Sequence, residues 1–182
     1  MKKVLFLVLF CACTIQIFAQ SSLEFLGMPF EGNTKEAFAK KLIERGYKYK
    51  AEKDGYTMYS GQFMDTDASI MLVPAKDGEG IKGLVITMKD INPVKLGSLY
   101  AEVLQKYMKK YANFKYTTTV NSDGGTETMF KKIKANSLCD FISIESKVSL
   151  KNCELVICYG SDLETNSSPD NDADEGIGVD DI

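Results

Sequence analysis

PVKLGSLYAEVLQKYMKKY, residues Pro93 to Tyr111, decides how the chain around it folds. Its apolar residues, Leu96, Leu99, Tyr100, Val103, Leu104, Tyr107, Met108 and Tyr111, recur at a three-then-four spacing over about four turns, and only an α-helix gathers them onto one face. Asn92 suits the cap, because its side chain can accept from the free amides of the first turn. Pro93, lacking an N–H and fixed in φ, suits the first helical position. Lys106, Lys109 and Lys110 stand near the negative end of the helix dipole. Such a stripe is worth on the order of 10 kcal/mol gross before ordering entropy is subtracted, so the helix needs a partner surface. The flanking segments, which alternate as strands do, supply one.

Before this helix, LEFLGMPF (Leu23 to Phe30) reads as an extended lead-in. A first helix follows from Thr34 to Arg45, with Asn33 and Glu36 placed as a capping box and Gly46 as its stop. Tyr47, Tyr49 and Ala51 alternate with Lys48, Lys50 and Glu52 in a half-buried strand, and Asp54-Gly55 turns the chain into Tyr56 to Phe63. Ser69 to Val73 and Ile81 to Met88 give two further strands. After the long helix, Phe114 to Val120, Thr126 to Lys134, Phe141 to Ser146 and Cys153 to Tyr159 repeat the plan, with NSDGG as a turn. The order predicts an α+β domain of two consecutive helix-plus-four-strand units, forming an antiparallel sheet with two helices packed on one face.

Residues 1 to 19 have the order of a secretory signal peptide: Lys2 and Lys3, an apolar run from Val4 to Phe18, then Ala19 before the cut. A lipid anchor would use Cys13 or Cys11, but Phe10 and Cys11 are poor residues before Cys13, and the apolar run continues past it. No later stretch is long and apolar enough to span a bilayer. Processing leaves about 163 residues, enough for a single domain over 20–160. Residues 161–182 read as an acidic tail too poor in apolar groups to order itself. The expected location is the periplasm or the exterior.

The net charge of -3 arises mostly from that tail, and Arg45 is the sole arginine, so nucleic acid is not an expected partner. The sequence contains no histidine. That excludes a serine-histidine-aspartate arrangement, a histidine-activated cysteine and histidine-ligated metals. A carboxylate pair such as Asp65 and Asp67, or a serine with a lysine, is what an enzyme would have left to use. In the tail, Asp170, Asp172, Asp174 and Asp181 are spaced like oxygen ligands of a calcium loop, although Glu175 stands where the tight turn requires glycine. Calcium is therefore the one cofactor in view, against the plainer reading of a solvated acidic tail.

Cys139, Cys153 and Cys158 survive processing. A hairpin turning about Lys147 to Leu150 would set Cys139 opposite Cys158, and a shifted turn would pair Cys139 with Cys153. Tyr47, Tyr49, Tyr56 and Tyr59 crowd the first hairpin, with alternation placing Tyr47 and Tyr49 on one face. Aromatics with a polar tip suit a binding surface, and they suit strand packing equally.

FLGMPFEGN, then a helix ending in LIERGY, then YSGQF, and later CDFISIE followed by NCELVICYG, resemble a set of secreted proteins of Bacteroidetes bacteria to which no activity is assigned. The resemblance covers most of the chain after the signal, but rests on turns and core positions, so it implies export and transfers no site residue. The sequence lacks the cysteine near Ser69 found in many of those proteins. In element order it resembles the β-lactamase-inhibitor-protein fold, which implies protein binding or an envelope assembly role. Three functions follow as expectations: an exported non-enzymatic domain binding an envelope or extracellular macromolecule, an envelope enzyme using carboxylates or serine with lysine, and a calcium-binding tail on a structural domain.

Overall fold

The computed structural model describes residues 23–76, 78–134, 138–149 and 152–164. In chain order the elements are β1 (Glu24–Phe25), β2 (Met28–Pro29), α1 (Lys35–Glu44), β3 (Lys48–Lys53), β4 (Tyr56–Phe63), β5 (Thr66–Pro74) and β6 (Ile81–Ile91). After these come α2 (Pro93–Lys110), β7 (Lys115–Val120), β8 (Thr126–Ile133), β9 (Leu138–Val148) and β10 (Cys153–Glu164). Strands β3 to β10 make one antiparallel sheet in the order β3-β4-β5-β6-β10-β9-β8-β7, while β1 and β2 form a separate short ribbon. The two meanders meet in the middle, where β6 pairs with β10.

The local reasons are legible at each helix end. Asn92 accepts from the Val94 amide at 2.9 Å and Pro93 opens α2. For α1 the cap is Thr34, whose hydroxyl accepts from the Ala37 amide at 3.2 Å, one residue later than the capping box proposed. Asn33 instead donates to the Pro29 carbonyl and so ties the ribbon to the helix.

Register fixes which side chains share a face. One row runs Tyr49, Tyr59, Ile70, Ile86, Ile157, Ile144, Thr128, Thr118 across all eight strands. The next runs Thr57, Leu72, Leu84, Tyr159, Ile142, Phe130, Tyr116. The middle of both rows is fully buried, because α1, α2 and the ribbon lie over this face. Val103 of α2 is inaccessible to solvent, Tyr107 meets Tyr159 ring to ring, and the Tyr100 hydroxyl meets that of Thr128 at 2.7 Å. Phe30 stacks on Tyr159 while Phe38 of α1 packs against Phe30. Tyr111 donates to the Glu24 carbonyl at 2.8 Å and closes the ribbon against the end of α2.

The expected fold class is overturned. The described residues are mostly β, 56% strand, with one eight-stranded sheet, the two-stranded ribbon and only two helices, rather than a balanced α+β domain of two helix-plus-strand units. Two physical reasons account for it. Ladder pairing carries the strands well past the turn signals that bounded them: β5 begins at Thr66, β9 runs from Leu138 to Val148, and β10 continues to Glu164, beyond the domain end expected at 160. The β6–β10 pairing then merges both meanders into one layer, which leaves no separable unit.

Candidate functional site

The four tyrosines of the first hairpin do not form a common surface. Tyr47 precedes β3 and is buried, its hydroxyl donating to the Gln62 carbonyl at 2.7 Å, and burial pushes its pKa up. Its ring fills the space over Gly61, where an added Cβ would lie 2.5 Å from it. Tyr59 is buried in the helix-covered row, and Tyr49 touches it edge to face from the exposed sheet margin, at 6.0 Å between centroids. Tyr56 is exposed and alternates with Thr57 and Tyr59, so it belongs to the opposite face.

The cysteines do not meet either. The turn between β9 and β10, where the Ser149 hydroxyl donates to the Asn152 carbonyl at 2.7 Å, sets Val148 opposite Cys153. That register puts Cys158 opposite Ser143 and Cys139 opposite Leu163, so the Cys139–Cys158 disulfide is corrected, and all three thiols are free. Cys158 is half-buried, and burial followed by the Glu145 carboxylate pushes its thiol pKa up, away from reactivity. Asp170, Asp172, Asp174 and Asp181 lie outside the described residues.

What the structure does assemble is the sheet face away from the helices. Its central row reads Met58, Met71, Val85, Cys158, Ser143, Met129, Thr117, and no described helix or strand lies over it. Met58 remains 39% exposed, while Met71, Val85, Cys158 and Met129 are half-buried by neighbouring side chains alone. The parallel row runs Lys48, Ser60, Ser69, Thr87, Val156, Glu145, Glu127, Thr119, cationic at one end and acidic towards the other. Ion pairs hold its lower margin, Lys89 to Glu154 at 3.8 Å and Lys147 to Glu145 at 3.3 Å.

Hollows mark this face and its margin. The larger of two, about 950 Å³, is lined by Lys48, Lys50, Asp65, Asp67 and Lys89 and wraps round the sheet margin to Gly46 and Lys95 at the helix ends. The smaller, about 370 Å³, lies along Met58, Met71, Val85 and Val156. They share Ser69, Thr87 and Lys89, so they form one continuous trough. Asp65 and Asp67 are both exposed on its rim, placed there by a two-residue turn, Met64-Asp65, with φ of 50° and 56°. Ser69 directs its hydroxyl to the Thr87 carbonyl at 3.5 Å. Lys48, Lys50, Asp65, Asp67, Lys89 and Lys95 are all exposed, so the charges of this trough can match those of a facing surface. The methionine row is the part that sequence reasoning missed. Its signal was present in the alternation, because Met58, Met71 and Val85 share a parity opposite to Tyr59, Ile70 and Ile86.

No family model, curated protein or solved structure matches the chain. Among the described residues, no helix is long and apolar enough to cross a membrane.

Proposed function

We propose that this is an exported, non-enzymatic binding domain whose uncovered sheet face seats another macromolecule of the envelope or exterior. One observation carries the reading: the methionine, valine and cysteine row lies open on an eight-stranded sheet whose other face is already covered. Methionines are flexible and polarisable, so a row of them adapts to an apolar partner surface better than branched side chains do. Lys48, Glu145 and Glu127 in the adjoining row favour a partner with charge of matching placement, which steers encounter and sets orientation more than it adds affinity. The signal-like N-terminus and the resemblance to secreted Bacteroidetes proteins support export.

The test is face-resolved cross-linking in the producing cell. A photoreactive residue placed at Val156, on the open face, should trap one defined macromolecule, whereas the same residue at exposed Ser98 of α2 should not. Met71→Lys should abolish the Val156 cross-link while leaving the circular dichroism spectrum unchanged. Equal trapping from both positions, or from neither, overturns the assignment.

A further inference from the structure

We infer that the free edge of β7 pairs antiparallel with the same edge of a second copy of the chain, giving a closed two-fold dimer with one continuous sheet. The sheet has two edge strands, β3 and β7, and every residue of both is exposed. An exposed edge offers unpaired amides and carbonyls to any other strand, and proteins blunt such edges with charge, bulges or covering elements. Strand β3 is blunted by charge and by a bulge. It carries Lys48, Lys50, Glu52 and Lys53, and it has a register break between Tyr49 and Ala51. Lys35 of α1 also reaches across to Glu52 at 2.6 Å and to the Gly55 carbonyl at 3.3 Å.

Among the described residues, strand β7 has no bulge and no covering element. Its sequence KYTTTV holds one charge, and its register with β8 is unbroken from Lys115 opposite Lys131 to Val120 opposite Thr126. Three threonines, a tyrosine and a valine are the residue types that favour strands. Two apolar side chains stand out on it, Tyr116 at 51% exposure and Val120 at 76%.

The strand is complementary to itself. With the two-fold axis at Thr118, alternation keeps covered-face residues opposite covered-face residues. Tyr116 then faces the partner's Val120, Thr117 faces the partner's Thr119, and Thr118 meets its own copy. Aromatic with β-branched and threonine with threonine are favourable cross-strand pairs. Lys115 falls opposite the partner's Asn121, so no like charges oppose each other. The apolar row that ends at Phe130 and Tyr116, ring centroids 5.6 Å apart, would continue across the axis. Because β3 is blunted, head-to-tail growth from β7 to β3 is disfavoured, and the assembly closes at two copies rather than forming a filament.

The experiment is sedimentation equilibrium on the chain beginning at Gln20. The wild type should fit a reversible monomer–dimer equilibrium. Thr117→Lys with Thr119→Lys places lysine opposite lysine twice and should weaken the dimer by about tenfold or more. Thr117→Lys with Thr119→Glu places opposite charges across the same axis and should leave the dimer intact or tighter. Both threonines are exposed, so circular dichroism and melting temperature should hardly change in either variant. A wild type that stays monomeric at all accessible concentrations, as it would if the edge served a strand of some other protein, overturns the inference. So does equal behaviour of the two variants. Loss of the open-face cross-link would leave this result untouched.

Discussion

At the scale of single residues, the strongest commitment of chemistry to structure is the contact between the Tyr107 and Tyr159 hydroxyls under α2. Burial is the main cause that raises the pKa of both, so each phenol stays neutral above its ordinary 10.0. Tyr107→Phe leaves the Tyr159 hydroxyl buried without that contact and should cost about 1–3 kcal/mol, whereas the double Phe variant should cost less than the two single changes summed. The pH dependence follows in sign. As pH climbs past 10 the unfolded chain releases phenolic protons first, so it binds fewer protons than the folded chain, and stability falls with rising pH. Below 10 the contribution is fully present. Urea midpoints measured from pH 8 to 11 should drop at the alkaline end, and should drop less steeply in the double Phe variant. An identical alkaline slope in both would show that these phenols do not report the fold.

At the scale of elements, the turn between β7 and β8 shows what a sequence can and cannot disclose. Gly124-Gly125 reads as a turn, but the two glycines are required for different reasons. Gly124 sits at φ +82° with open space where a Cβ would go, while at Gly125 an added Cβ would lie 2.1 Å from the Ser146 carbonyl oxygen on β9. Gly124→Asn should therefore cost less than about 1 kcal/mol, because asparagine tolerates the left-handed region. Gly125→Asn should cost about 1–3 kcal/mol, because backbone must move to admit it. Thermal denaturation of the two variants measures the gap, and equal losses would show the close approach to be misplaced. Only the first reason is local, and so only the first can be read from the chain. The same distinction holds elsewhere. Helix α2 and the Asp54-Gly55 hairpin were legible because periodicity and turn chemistry are local properties. Met64-Asp65 was not, because it reaches positive φ at both positions without a glycine, Met64 being held there while packed against the core. The cysteine register was missed for a related reason, since a turn displaced by two residues moves every cross-strand neighbour by four.

At the scale of the whole molecule, the unreadable fact is the seam. Nothing local in Leu84, Ile86 and Met88 announces that they will lie beside Leu155, Ile157 and Tyr159, far along the chain, yet that pairing turns two meanders into a single sheet. It also decides the candidate site, because the open face exists only once both meanders share a layer. Alternation shows that each strand has two faces. It does not show which face the helices choose when both carry apolar residues. If the seam unites the fold, the halves cannot unfold separately. Ile157 is fully buried, with Ile86 on one side of it and Ile144 on the other. Ile157→Ala should cost about 2–5 kcal/mol through the cavity it leaves. That loss should register equally in β4–β5 and in β8–β9, because neither meander has a core without the shared strands. Hydrogen exchange by mass spectrometry under mild denaturant would read both regions in one experiment. Matched loss of protection in the two outer hairpins is the expected result. A variant in which β8 and β9 keep wild-type protection while β4 and β5 open would mean that the meanders are independent units placed side by side, and the shared open face would no longer be a fixed surface.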